Sequence, residues 1–356
     1  MWWHVLRKAG VGLSTRTSGS LRTYLVTRLL LFIPNVLVIL TIVFILMRVA
    51  PGDPVSVALG GQRPPEQIAM LREAAGYDRP IIVQYWEYIR GVLTFDLGET
   101  IVDSRDITEI LITNGGATLT LTFAAVLVAL VIGVPLGLVA GRRRDTPLDA
   151  GLRVFSILTY AAPVFFLGLL LQLAFGVRGL GWLPTSSQAN AIMQARVSDV
   201  TNIFLVDALL AGDTEAFVDG LEHLVLPALT LGLLLSGVFM RIIRVNLVQT
   251  LRGDYVEAVR ARGVSERRVV IHHAFRNAMV PFVTVLGLQI ALLLGGAILT
   301  EQTFNWPGIG AQLVRYLGSR DYVAVQGIVT FFALAVVTVS LLIDIINALI
   351  DPRVRY

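Results

Sequence analysis

The 356 residues contain no cysteine and a single lysine, Lys8. Without cysteine there is no disulfide, no thiolate metal site and no cysteine nucleophile. A P-loop needs a glycine-rich turn ending in Gly-Lys-Ser/Thr, because its backbone amides cradle phosphate while the lysine neutralises it. Lys8 stands in Leu-Arg-Lys-Ala-Gly instead, so a motor of that kind is excluded. Histidine is scarce: His4, His223, His272 and His273 are all there are, with no HExxH array and no carboxylate at metal-ligand spacing. Adjacent helical residues point about 100° apart, so His272 and His273 read as a polar face rather than a paired ligand. No metal or cofactor is expected. A GxSxG elbow is missing, as is any pair of acids within one apolar run, so the chain is not expected to be an enzyme.

Charge is sparse as well. Only 15% of residues are charged while 55% are hydrophobic, with a mean hydropathy of +0.73, against roughly 45 to 50% apolar residues in a soluble domain. This composition belongs to an all-α polytopic membrane protein surrounded by a lipid bilayer. The sequence pI near 9.6 is compatible with nucleic acid, but the arginines fall in short blocks beside apolar runs, the pattern of membrane orientation. Nucleic acid is therefore not an expected partner. The first twenty residues lack the apolar core and cleavage site of a secretory signal and read as a retained tail.

A helix needs about 20 apolar residues to cross a bilayer. Six stretches qualify: Leu25 to Val49, Ala117 to Ala140, Leu152 to Phe175, Leu224 to Leu247, Met279 to Thr300 and Val325 to Ile350. The segments on one side of these spans total 19 basic against 6 acidic residues, and those on the other 10 against 18. The positive-inside rule then places both termini in the cytoplasm. The expected organisation is a cytoplasmic tail at 1–24, a first span at 25–50, and an extracytoplasmic loop at 51–114 with short helices around Pro-Ile-Ile-Val-Gln-Tyr-Trp-Glu-Tyr-Ile. A transmembrane helical core follows at 115–350, with an extracytoplasmic insert at 176–223 and a cytoplasmic loop at 248–278, and then a cytoplasmic tail at 351–356.

The loop holds the densest positive charge. Tyr255, Ala258 and Val259 share one helical face, with Glu257, Arg260 and Arg262 largely on others. Gly263 ends that helix, because glycine accepts the left-handed conformation beyond a helix terminus. Ser265 is placed to cap a second helix, whose first turn carries Glu266. Taken alone, the loop reads first as an interfacial helix on anionic lipid, and second as a docking element.

This segment resembles the EAA loop of the integral membrane subunits of bacterial ABC importers, with Glu257, Ala258 and Gly263 in order. Leu-Val-Leu-Pro-Ala-Leu-Thr-Leu, Asp-Tyr-Val-Glu-Ala-Val-Arg-Ala-Arg-Gly and His-His-Ala-Phe-Arg-Asn-Ala-Met-Val-Pro are similar to the peptide and nickel permease branch. Arg-Val-Ala-Pro-Gly-Asp-Pro, Leu-Gly-Trp-Leu-Pro, Glu-Gln-Thr-Phe-Asn-Trp-Pro-Gly-Ile-Gly and Ile-Asp-Pro-Arg follow in the family's order. Departures are Val259 for the EAA loop's second alanine, Ala-Phe-Arg-Asn for its later Leu-Pro, and Thr-Phe-Asp-Leu-Gly without a glycine before Asp96. The resemblance implies a type I, MetI-like fold with six transmembrane helices in the inner membrane. It implies docking to the ATPase through Tyr255, Glu257, Ala258, Val259, Arg262 and Gly263. A second, similar permease, two ATPase subunits and an external binding protein are the implied partners, and di- or oligopeptide the implied cargo. Nickel, a glycan or another small solute is the alternative cargo; a receptor or scaffold is the alternative class.

Gly133, Gly137 and Gly141 form two GxxxG steps, for close helix packing or, at Gly137, a pathway lining. Pro135 and Pro163, with Gly168, are placed to bend their spans, and Pro163 is a second pathway candidate. Glu301 precedes a capping turn at the outer mouth, either as a solvated interfacial acid or as an attractor for a peptide amino terminus. Asp344, the one acid within a span, is expected at an interface or beside Arg353. Arg315, Arg320 and Asp321 are expected to meet a delivering protein or to pair with one another.

Overall fold

The computed structural model describes residues 21–49, 64–74, 76–176 and 179–350. The expectations placed on the amino tail up to residue 20, on the start of the 51–114 loop and on 351–356 lie outside the described residues, and so does Arg353.

In chain order the helices are α1 (Leu21–Val49), α2 (Pro65–Ala74), α3 (Ile81–Thr94), α4 (Ile107–Arg142), α5 (Pro147–Ala161), α6 (Val164–Phe175), α7 (Ala191–Arg196) and α8 (Phe204–Leu210). They continue with α9 (Thr214–Leu251), α10 (Asp254–Ala261), α11 (Glu266–Arg268), a π-helical turn at Val269–Ala274, α12 (Phe275–Gly296), α13 (Ile298–Thr303), α14 (Ile309–Gly318) and α15 (Tyr322–Ile350). Among the described residues four helices, α1, α4, α9 and α15, are each long and apolar enough to cross a bilayer, and counting each of two bent pairs as one span brings the number to six.

The third expected span is not one rod. α5 and α6 meet at 104° around Ala162 and Pro163, because proline disfavours a helical conformation in the residue before it, and Ala162 is extended (φ −69, ψ 130). Pro135 behaves differently and sits inside the continuous α4.

α4 and α9 outrun the apolar windows that announce them. With 36 and 38 residues at about 1.5 Å each they exceed the roughly 30 Å hydrocarbon core, so their first turns stand outside it. Those turns begin on side-chain caps: Asp106 accepts from Thr108 N at 2.6 Å and Asp213 from Ala216 N at 3.0 Å, answering amides that have no partner within the helix.

The two long helices form the heart of the molecule. Leu121, Ala125 and Ala129 of α4 pack on Leu231, Leu235, Phe239 and Ile243 of α9, with Phe282 of α12 closing the cluster; the Phe239 and Phe282 rings meet edge to face at 5.1 Å. The GxxxG steps set the spacing of this pair. A Cβ on Gly133 would lie 2.7 Å from Ser236 O, and one on Gly137 2.9 Å from both Met240 O and the Cβ of Ile243. Gly137 is thus buried in the contact between α4 and α9.

Asp344 pairs with Arg28 of α1 at 3.2 Å. The acid therefore ties the first helix to the last.

Candidate functional site

The basic residues of 141–153 and 241–276 gather at one end of the bundle, hereafter the basic end. Asp149, in the first turn of α5 and fully buried, accepts a bidentate pair from Arg244 of α9 at 2.6 and 2.7 Å, with Arg153 at 3.8 Å. The Arg244 hydrogen bond holds the Asp149 carboxyl below its ordinary value, against the opposing effect of burial. This pair was not visible in the sequence, since 95 positions separate its partners. Thr146 and Pro147 do mark the helix start that places Asp149, with Thr146 Oγ1 accepting from Asp149 N at 3.3 Å.

Beyond Arg252 the chain forms the elbow expected from its glycine. α10 ends at Ala261 with Arg262 as its C-cap, and Gly263 adopts φ +77 with nothing within 4 Å of where a Cβ would stand. The glycine is needed for conformation, then, not for space. Ser265 occupies the N-cap position of α11 but makes no side-chain cap bond. What braces the elbow instead is Arg260, donating to both carboxylate oxygens of Glu266 at 3.1 and 2.8 Å across the turn; this hydrogen bond lowers the Glu266 carboxyl from its ordinary value.

One residue of α10 faces inward. Val256 is fully buried, as are Val269 and Val270 of the π-helical turn behind it. Tyr255, Glu257, Ala258, Arg262 and Gly263 are exposed and Val259 is half-buried. Tyr255 accepts from Asn277 Nδ2 at 2.8 Å through its hydroxyl and still leaves 42% of its surface open. Five of the six candidate residues are thus exposed over α10 and the turn that follows it, with Val259 half-buried among them. The π-helical turn, with its Val-Val-Ile-His-His-Ala sequence, had no sequence signal and joins the elbow directly to α12.

The opposite, acidic end is built on carboxylates facing backbone amides. Glu301 is neither solvated nor turned to an open mouth. It is fully buried, accepting from Thr118 Oγ1 and Ala311 N at 2.8 Å each and from the Gly310 amide. These amides begin α14, where a carboxylate meets the positive end of the helix dipole. A Cβ on Gly308 would collide with the same carboxylate, and one on Gly310 would stand 2.9 Å from its Oε2. The Asn-Trp-Pro-Gly turn is then pinned to α4: Trp306 Nε1 donates to Ala117 O at 2.8 Å, Ile309 N to Thr118 Oγ1 at 2.9 Å and Asn114 Nδ2 to Pro307 O at 2.9 Å.

The neighbouring acids act alike. Buried Asp321 accepts from Ile101 N at 2.6 Å, Val102 N at 3.0 Å and Ala324 N at 3.0 Å. Arg315 pairs with Asp103 at 3.2 Å rather than with Asp321, and the Tyr316 hydroxyl donates to the same carboxylate. Arg320 is exposed with a left-handed backbone (φ 59). Pro163 stands exposed at the corner between α5 and α6.

Residues 133–356 match the family described as binding-protein-dependent transport system inner membrane component, and residues 21–104 match the corresponding membrane component, N-terminal family. Among curated relatives, a di/tripeptide transport system permease protein of Pseudomonas aeruginosa is 37% identical over 335 residues, covering 94% of this chain and 99% of that protein. A dipeptide transport system permease protein of Escherichia coli is 36% identical over 338 residues, covering 94% and 98%. A glutathione transport system permease protein of Salmonella typhi is 35% identical over 333 residues, covering 94% and 99%.

Proposed function

The chain belongs to the family of binding-protein-dependent transport system inner membrane components, and we propose that it carries di- or oligopeptides across the membrane together with a second, similar permease. It is a multi-pass permease subunit of an ABC importer. The peptide cargo is supported by relatives named for di/tripeptide, dipeptide and glutathione transport at 35 to 37% identity over nearly the whole chain. ATP hydrolysis belongs to two partner subunits, and an external binding protein delivers the cargo. The basic end faces the cytoplasm, with both termini on that side, in keeping with its excess of arginine.

The observation that carries the coupling role is the elbow itself. Its root is fixed by buried Val256, Val269 and Val270, and its tip presents Tyr255, Glu257, Ala258, Val259, Arg262 and Gly263. A flexible tether would absorb a push from a partner. A stiff protrusion continuous with α12 converts the push into movement of a membrane helix between two packings. When the ATPases close on nucleotide, the elbows of the two permeases are drawn together and the bundle opens outward to receive cargo; reopening returns it inward.

Gly263→Pro tests this. Proline is locked near φ −65° and cannot adopt the +77° of this turn, so the tip is redirected while the buried root remains. Expected are normal membrane insertion, retained ATPase subunits at reduced affinity, and peptide uptake lowered at least tenfold. Uptake at the wild-type rate in a correctly inserted variant removes the coupling role.

A further inference from the structure

At the acidic end the close of α1, the polar face of α3, the loop before α4 and the first turns of α15 surround a cavity of about 760 Å³. Arg48 of α1 is built into its wall. The guanidinium lies between the rings of Phe44 and Tyr77, 4.8 and 4.7 Å from their centroids, and Nε donates to Gln84 Oε1 at 2.9 Å. Gln84 is itself held, its Nε2 donating to Tyr77 O at 3.0 Å and Arg79 O at 2.7 Å. Arg48 is thus fixed in place through its rings and one nitrogen, while its two terminal nitrogens have no acceptor and its charge no carboxylate among the described residues. Arg90 of α3 is exposed, lines the same cavity and is likewise unpaired.

Gln326 is a second, independent sign. It stands in the second turn of α15, only 8% exposed, and its amide makes no hydrogen bond among the described residues. Neither of its amide atoms is sealed off, so the group opens on the void. The acids of the wall are partly spent: Glu87 is engaged by Arg79, and Asp96 accepts from Gly98 N at 3.3 Å. Exposed Glu99 keeps a carboxylate with no donor among the described residues.

Two unpaired guanidinium groups call for an anion with several acceptor oxygens, and the planar fork of arginine fits phosphate. The Glu99 carboxylate and the Gln326 oxygen suit an ammonium, which only donates. Together these are the two charges of a phosphoethanolamine group. A peptide zwitterion also carries two charges, and position decides between them. The 29 residues of α1, at about 1.5 Å each, outrun the roughly 30 Å hydrocarbon core, so Arg48 beside its end stands at headgroup depth. Both α1 and α15 keep most of their apolar surface outside the bundle. On α3, Ile82, Trp86 and Leu93 are exposed, the mark of a helix at the membrane interface. The cavity opens on lipid.

We propose that this cavity holds the headgroup of a phospholipid from the leaflet at the acidic end, its phosphate on Arg48 and Arg90 and, in phosphatidylethanolamine, its ammonium on Glu99 and Gln326. The bound lipid fastens α3 and the loop before α4 to the outer flank of α1 and α15.

The test exposes the assembled permeases and ATPases, purified in detergent, to lipids of identical acyl chains and reads retention by native mass spectrometry. Expected is retention of phosphatidylethanolamine at least tenfold above diacylglycerol, which lacks the phosphate, and at least threefold above phosphatidylglycerol, which lacks the ammonium. Arg90→Gln, on an exposed side chain, should lower phosphatidylethanolamine retention at least fivefold at an unchanged melting temperature. Arg48→Gln should lower it as much or more, and Glu99→Gln should erase the preference over phosphatidylglycerol. Equal retention of diacylglycerol reduces the contact to apolar packing and overturns the proposal, as does wild-type retention in both arginine variants. Displacement by millimolar inorganic phosphate assigns the cavity to a free anion, and displacement by glycylglycine assigns it to a peptide. Either overturns the lipid site, and so does a complex that retains no lipid, as expected if the second permease covers the cavity.

Discussion

The two ends of the bundle use charge in opposite ways. At the acidic end Glu301 and Asp321 are buried and saturated by backbone amides and a threonine hydroxyl, so their charge is spent inside the chain, holding α14, α15 and the loop before α4 in one block. At the basic end, Arg252, Arg262, Arg267 and Arg268 are exposed, and the elbow's root is held by the buried side chains of Val256, Val269 and Val270. A block that keeps its hydrogen bonds to itself moves as a unit. A protrusion that leaves its charges open is built to be gripped. Asp149 and Arg244 are the instructive exception: a buried ion pair on the basic side, joining α5 to the helix α9 that leads into the elbow.

The sharpest way to break the contrast is Glu301→Ala. It strips the acceptor from the Thr118 hydroxyl and from two amides at the start of α14, and each buried donor left unanswered costs about 1 to 3 kcal/mol. A loss of about 3 kcal/mol or more is expected, read as a lower apparent melting temperature of the purified protein together with lost uptake. Gly308→Ala should reproduce it, since its Cβ strikes the same carboxylate. If both variants melt like the wild type, the acidic end is not a welded block.

Asp149→Ala comes next. Removing one partner from a fully buried pair costs about 3 to 5 kcal/mol; Arg244 keeps 18% of its side chain in solvent, which reduces the expected loss to about 2 kcal/mol. The pH dependence has a definite sign. The folded carboxyl lies below its ordinary value, so its stabilisation is complete above the ordinary carboxylate range and disappears as pH falls through the lowered value. Melting curves of wild type and variant should converge in acid and diverge near neutrality; curves that stay parallel across that range contradict the assignment.

Much of this architecture is legible in the sequence wherever a single stretch decides it. The four unbroken spans follow from length and hydropathy, and the turn at Gly263 from the one residue type that takes φ +77 without strain. Pro163 announces a bend, but its 104° angle depends on what α5 and α6 pack against, so the third span reads as continuous from composition alone. Glu301 shows the other kind of limit. Its surroundings in sequence are those of an interfacial acid, and only the folding of α14 back over Thr118 supplies the amides that bury it. Asp149 and Arg244, like Asp103 and Arg315, are long-range partners, and nothing local to either residue names the other.

The smallest expected effect tests the elbow's own bracing. Arg260 and Glu266 are linked by two hydrogen bonds across the turn, yet their side chains are 40% and 51% exposed, and exposed ion pairs contribute about 0.2 to 1 kcal/mol. Glu266→Gln should therefore leave the melting temperature of the whole protein within about 1 °C, since so small a term is diluted over a chain of this size. The local consequence is larger than the global one. The Glu266 carboxyl is lowered in the folded elbow, so the brace is present above the ordinary carboxylate range and lost as pH falls through the lowered value. Amide exchange over 255–268 should speed up in wild type on acidification and be faster from the start in the variant, while the amides around buried Val269 and Val270 change little. Were exchange at the tip identical in the two proteins at neutral pH, the salt bridge would be incidental and the stiffness of the elbow would have to reside wholly in its buried valines.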